Sequence, residues 1–153
     1  MYDFWLFVHV LMAIVWVGGN IHLQIIGARL TAANDSIQLA GFSKQAEWIG
    51  TKVLMPAAVL IVIAGVLMVL DSSGSPAFED LWVIIGIAGF LYSFINGAAL
   101  LGPLSGKTAK LIEERGAEDA QVQTNIRRLF LYGRIELVIL IVVVWAMTMK
   151  PTL

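Results

Sequence analysis

Hydrophobic positions along the chain fall into four long blocks, at about 4–26, 53–70, 81–102 and 130–149, separated by three more polar stretches. Each block is close to the roughly 20 residues that carry a helix across a hydrocarbon layer. The second and fourth are rich in Val, Ile and Leu and would suit strands by residue type. No turn interrupts them, so length decides for helices, and an open sheet could not satisfy its edges in lipid. The pattern predicts an all-α, polytopic membrane four-helix bundle in up-down order, a single integral membrane domain over residues 1–153.

Polar residues inside these blocks mark the faces turned away from lipid. The first block holds both histidines of the chain. At about 100° per residue, His9, Ala13, Trp16, Asn20 and Gln24 share one helix stripe, while His22 lies on the far side and about 20 Å further along. One straight helix cannot bring the two histidines to one metal. In the third block Gly86, Gly89, Ser93 and Gly97 form a small-residue seam that allows close approach of another helix. Pro56, one turn into the second span, removes a backbone hydrogen bond and predicts a kink.

The connecting stretches set the orientation. Residues 27–52 carry an N-cap signal, Asn34-Asp35-Ser36, and then a loosely amphipathic helix that lies on the membrane surface or runs into the second span. Residues 71–80 are turn-rich and contain no basic residue. In residues 103–129 Gly116 separates two short helical stretches. Nine of the ten Lys and Arg lie in the first and third connections or, like Arg134, at their edge; Lys150 is the exception. The positive-inside rule then puts helical extensions in the cytoplasm and both termini outside, which for the inner (cytoplasmic) membrane of a bacterium is the periplasm. Trp5, Trp82 and Trp145 fall near the outer ends, as an aromatic belt requires. A short internal match, Asp3-Phe-Trp5 against Asp80-Leu-Trp82, predicts two helical-hairpin pseudo-repeats in which His9 is paired with Gly86.

Composition narrows the chemistry. The chain is 59% hydrophobic and 14% charged, and it contains no cysteine, which excludes disulfides and thiolate metal sites. A net charge of −1 with no basic stripe excludes nucleic acid as a partner. No basic segment precedes the first apolar run, so that run is expected to stay in the mature protein. Nucleotide-binding loops, hydrolytic triads and zinc-spaced ligand pairs are absent. Two constellations remain. His9, with Met68 and Met147 at a similar depth, has the donors for haem iron or copper, or else a hydrogen bond to a neighbouring carbonyl with the methionines as filler. Asn20, Gln24, Asn96, Arg134 and Glu136 fall at one depth toward the other side. They make either a polar pocket, with Glu136 as its ionisable member, or interhelical hydrogen bonds that lock the bundle, with Arg134 reaching the headgroups.

The run His9-Val-Leu-Met-Ala-Ile-Val-Trp16-Val-Gly18-Gly19 resembles the first span of several bacterial four-helix membrane families. Over nearly the whole chain the sequence is similar to an uncharacterised family of bacterial four-helix predicted integral membrane proteins, through Ala46-Glu47-Trp48-Ile49, Leu54-Met55-Pro56-Ala57, Asp80-Leu81-Trp82-Val83-Ile84 and Arg127-Arg128-Leu129. More distantly, the first two spans resemble the haem-binding four-helix membrane protoporphyrinogen oxidase and the membrane domain of copper-resistance D-type proteins. The oxidase resemblance implies haem b on His9, with Trp16, Gly19 and Met55-Pro56-Ala57 matching that family's motifs. Its third-span lysine, four residues after a tryptophan, is Gly86 here, and its later histidine is missing.

Three functions stay open on these residues. The first is haem or metal binding through His9, with a redox or cofactor-handling role. The second is an accessory subunit, a homo-oligomer or a partner protein packing on the third-span seam. The third is a small-solute or ion transporter, copper included, that uses the polar pocket. The lipid bilayer is a partner in all three.

Overall fold

A span of about 20 residues suffices to cross lipid, and each of the four continuous helical rods of the protein is longer than that. The computed structural model describes residues 1–33, 36–72 and 76–152. Its α-helices are α1 (Tyr2–Ala33), α2 (Ser36–Ile49), α3 (Met55–Asp71), α4 (Leu81–Ile95), α5 (Gly102–Arg115) and α6 (Ala120–Met149). A π turn, Gly50–Leu54, joins α2 to α3, and a second, Asn96–Leu101, joins α4 to α5. The chain therefore runs as four rods, each long and apolar enough to cross a membrane. No strand occurs among the described residues.

With 32 residues α1 is about 48 Å long, against about 30 Å of hydrocarbon. The surplus lies at the end away from the termini. There α2 and α5 pack side by side, and Leu39, Ala40, Ile112, Ala117, Val122 and Ile126 form a separate apolar cluster. The stretch after residue 36 thus continues into the second span and does not lie flat on the membrane; the side chains of its Asn34-Asp35-Ser36 cap signal lie outside the described residues. Ser105 Oγ donates to the Ser43 carbonyl at 2.9 Å, and Lys44 pairs with Glu113 across the same contact. Gly116 ends α5 at φ +82°, a conformation that a side chain makes costly, and its N–H closes the helix on the Ile112 carbonyl.

Proline explains the π turns. Pro56 has no N–H for the carbonyl four residues back, and its ring would collide with it. The helix widens by one residue just before it, so that the Met55 N–H reaches the Gly50 carbonyl. Pro103 follows the second π turn in the same way, with the Gly102 N–H on the Gly97 carbonyl. The break expected at Pro56 is therefore a π turn, and it has a counterpart that the sequence pattern did not reveal. The π turns sit in the two middle rods, at the same end of the bundle, so they do not follow the hairpin repeat read from Asp3 and Asp80.

Within the spans α1 packs on α3 and α4 on α6. Trp16, Leu54, Ala58, Ile61 and Leu140 form the central cluster. The small-residue seam is used inside the chain. A Cβ at Gly86 would collide with the Met147 methyl, and one at Gly89 with Val143 Cγ2. Gly97 is not part of it: nothing lies within 4 Å of a Cβ there, because the residue sits in the second π turn. At the terminal end the Met1 amine lies 3.6 Å from Asp71, and Lys150 Nζ stands 5.2 Å from the centre of the Trp82 ring.

Candidate functional site

A cavity of about 400 Å³ lies among the rods, bordered by residues of both π turns. It runs along α1 from Trp16 to Thr31, about 22 Å of helix. Its deep end is closed by Trp16, which is buried and meets Phe90 edge-to-face at 5.9 Å, and by Leu54 and Ala58. Its rim carries the exposed residues Glu47, Thr51 and Pro103. Apolar walls come from Phe42, Phe94, Leu129 and Phe130.

The deep polar groups come from α1, α4, the second π turn and α6. Asn20 donates from Nδ2 to the Trp16 carbonyl at 3.0 Å, which leaves its amide oxygen as an acceptor. Gln24 lies one turn on, and its amide rests on the bare Gly133 of α6, where a Cβ would collide with it. One turn beyond Gly133 is Glu136, only 3% exposed. Asn96 Nδ2 donates to Glu136 Oε2 at 2.6 Å, and among the described residues no other donor reaches the carboxylate. Ser93, one turn before Asn96, is 2% exposed, and its hydroxyl has no hydrogen-bond partner among the described residues. An orphaned buried hydroxyl costs about 1–3 kcal/mol, which a small side-chain rotation toward the cavity relieves when a ligand or water meets it there.

Of the polar residues grouped from the sequence, Asn20, Gln24 and Glu136 line this cavity, and Asn96 is tied to Glu136 from behind it. Arg134 is not a member. It is exposed on the opposite side of α6, because two residues turn a helix by about 200°. Trp16 forms the floor, and Gly19 gives up its side chain to Leu54 of the facing helix. Sequence reading missed Ser93 as a polar group, having taken it for a small residue of the seam, and also missed Glu47, Gly133 and Gly65. Gly133 had one available signal, its place one turn from Glu136 on the same face.

His9 lies outside the cavity, as do Gly86, Met68 and Met147. The imidazole packs against Gly65, and Nδ1 is 2.8 Å from the Ile61 carbonyl. A carbonyl only accepts, so Nδ1 carries the proton and Nε2 the lone pair. As a haem site, His9 and Gly86 fit on one side only. Nε2 is a competent ligand, while Gly86 supplies no donor and its space is taken by the Met147 methyl. Among the described residues no group of three His, Asp or Glu could hold a metal ion.

Outside the family comparison, no curated protein and no solved structure matches the chain. Residues 4–151 match the family described as Predicted integral membrane protein (DUF2269), and the chain belongs to it.

Proposed function

We propose that the protein is a small-solute transporter of the bacterial cytoplasmic membrane, with both termini outside and the cavity open toward the cytoplasm. The observation that carries this reading is the cavity itself, of a size that encloses a small molecule, with a buried carboxylate and an unpartnered hydroxyl in its wall. Orientation is supported by the nine basic residues toward the α2/α5 end. The rim faces that end and the Trp16–Phe90 floor closes the other, so the conformation is inward-facing. The paired π turns border the cavity and are the places where the middle rods can flex.

Because the chain has no cysteine, single cysteines report access cleanly. Ala46→Cys in the cavity wall should react with a membrane-impermeant thiol reagent in inside-out vesicles. Ile141→Cys, on the exposed face of α6, should not. Reaction of Ala46→Cys only from the opposite side, or at the same rate as Ile141→Cys, refutes an inward-open cavity.

A haem or metal held by His9 is the second reading, and it rests on one observation. The Ile61 carbonyl fixes the tautomer that leaves Nε2 free, the arrangement that orients histidine ligands elsewhere.

A further inference from the structure

We infer that the solute is a small organic cation, an ammonium group on an apolar and preferably aromatic body. This rests on the reading of the cavity as a solute site and adds its chemistry.

The charge inventory gives the sign. The chain has ten Lys and Arg and two His, and none of them lines the cavity. Two glutamates do, Glu136 deep in the wall and Glu47 at the rim. Glu47 is held there by close approach of the helices: a Cβ at Gly106 of α5 would come within 2.8 Å of both its carboxylate oxygens. An anionic ligand would meet two carboxylates and no compensating cation. A cation meets one on the way in and a second at depth, where the low local dielectric strengthens the attraction.

The hydrogen-bonding groups give the head. Glu136 has one oxygen occupied by Asn96 and the other open. Asn20 places one of its two amide N–H groups on the Trp16 carbonyl, and its amide oxygen stays available as an acceptor. Ser93 Oγ is buried and unpartnered. The deep wall therefore offers three acceptors, a carboxylate, an amide oxygen and a hydroxyl oxygen, beside amide N–H groups of Asn20 and Gln24. An ammonium brings three donors and no acceptor, the complement of that set, and its bond to a carboxylate is of the strong, charge-assisted kind. The walls give the body. Trp16, Phe42, Phe94 and Phe130 present aromatic surface, which attracts cations through the ring face and buries apolar groups.

Three probes of one shape separate charge from shape: phenethylamine, charged at pH 7, 2-phenylethanol, neutral, and phenylacetate, anionic. Their binding to the full-length protein in lipid nanodiscs is measured by calorimetry against empty nanodiscs, which subtracts partition into lipid. The amine should bind at least tenfold more tightly than the alcohol, and the acetate least of all. Glu136→Gln, which keeps a partner for Asn96, should bring the amine to the level of the alcohol and leave the alcohol unchanged. Should Glu136→Gln fail to fold, Ser93→Ala serves instead and should lower amine affinity relative to the alcohol. Equal binding of amine and alcohol, or a preference for the acetate, overturns the cation inference and leaves the solute site standing. A preference for the amine that survives both substitutions also overturns it. Absence of saturable binding by all three overturns the solute site as well.

Discussion

The contact between α4 and α6 at Gly89 allows a quantitative test of how the bundle is held together. In Gly89→Ala the new Cβ would overlap Val143 Cγ2, while its next neighbours, Ile139 Cγ2 at 3.6 Å and Val143 Cβ at 3.7 Å, are at ordinary distances. Carbon atoms settle at about 3.5–4.0 Å, so a single methyl group carries the whole clash. Val143 cannot swing it aside freely, since valine in a helix is held to one rotamer in about 90% of cases. The helices must separate instead, at about 1–3 kcal/mol. Alanine in place of glycine also favours a helix by up to about 1 kcal/mol. Gly18→Ala measures that gain alone, because nothing lies within 4 Å of a Cβ at Gly18. Relative to Gly18→Ala, Gly89→Ala should therefore lose about 1–3 kcal/mol. Val143→Ala loses the van der Waals contacts of its own methyls, the force that holds helices together in lipid, yet combined with Gly89→Ala it should restore stability, with a coupling of at least about 1 kcal/mol. Reversible unfolding in mixed detergent micelles, on the four proteins of the cycle and on Gly18→Ala, reads each term. Equal stability of Gly89→Ala and Gly18→Ala, or strictly additive energies in the cycle, would refute the packing of α4 on α6 at this seam.

Reporter fusions near Gly116 and after the C-terminus should give opposite signals, with Gly116 cytoplasmic; a cytoplasmic C-terminus inverts the proposed orientation and the side from which the cavity opens. Gly116→Ala should cost about 1–3 kcal/mol despite the open space around it, because φ +82° with ψ 166° is a conformation essentially confined to glycine; unchanged stability would show that α5 ends differently in solution. The visible spectrum of the purified protein should carry no haem Soret band, since Gly86 offers neither ligand nor space. A band lost in His9→Ala and kept in His22→Ala would put the second reading in place of the first.

Four spans, their order and the basic end of the bundle were legible in the sequence, because a long apolar run in a chain that must satisfy its own backbone has one outcome in lipid, a helix. The faces were legible only where the apolar pattern is broken. Asn20, Gln24 and Glu136 turn inward because polar groups avoid hydrocarbon, and Gly86 and Gly89 because bare backbone permits contact. Elsewhere lipid and protein interior are equally apolar, so hydrophobicity carries no record of which side of α3 or α6 is buried. What only the tertiary structure decided follows from that. Pro56 announced a break, but the matching π turn before Pro103, and the cavity that the two border, arise from helices meeting at one depth from distant parts of the chain. Gly65 under His9, Gly133 under Gln24 and Gly106 under Glu47 are likewise pairs between helices. In each, a missing side chain on one helix fits a polar one on another, and a single helix pattern records only half of such a fit.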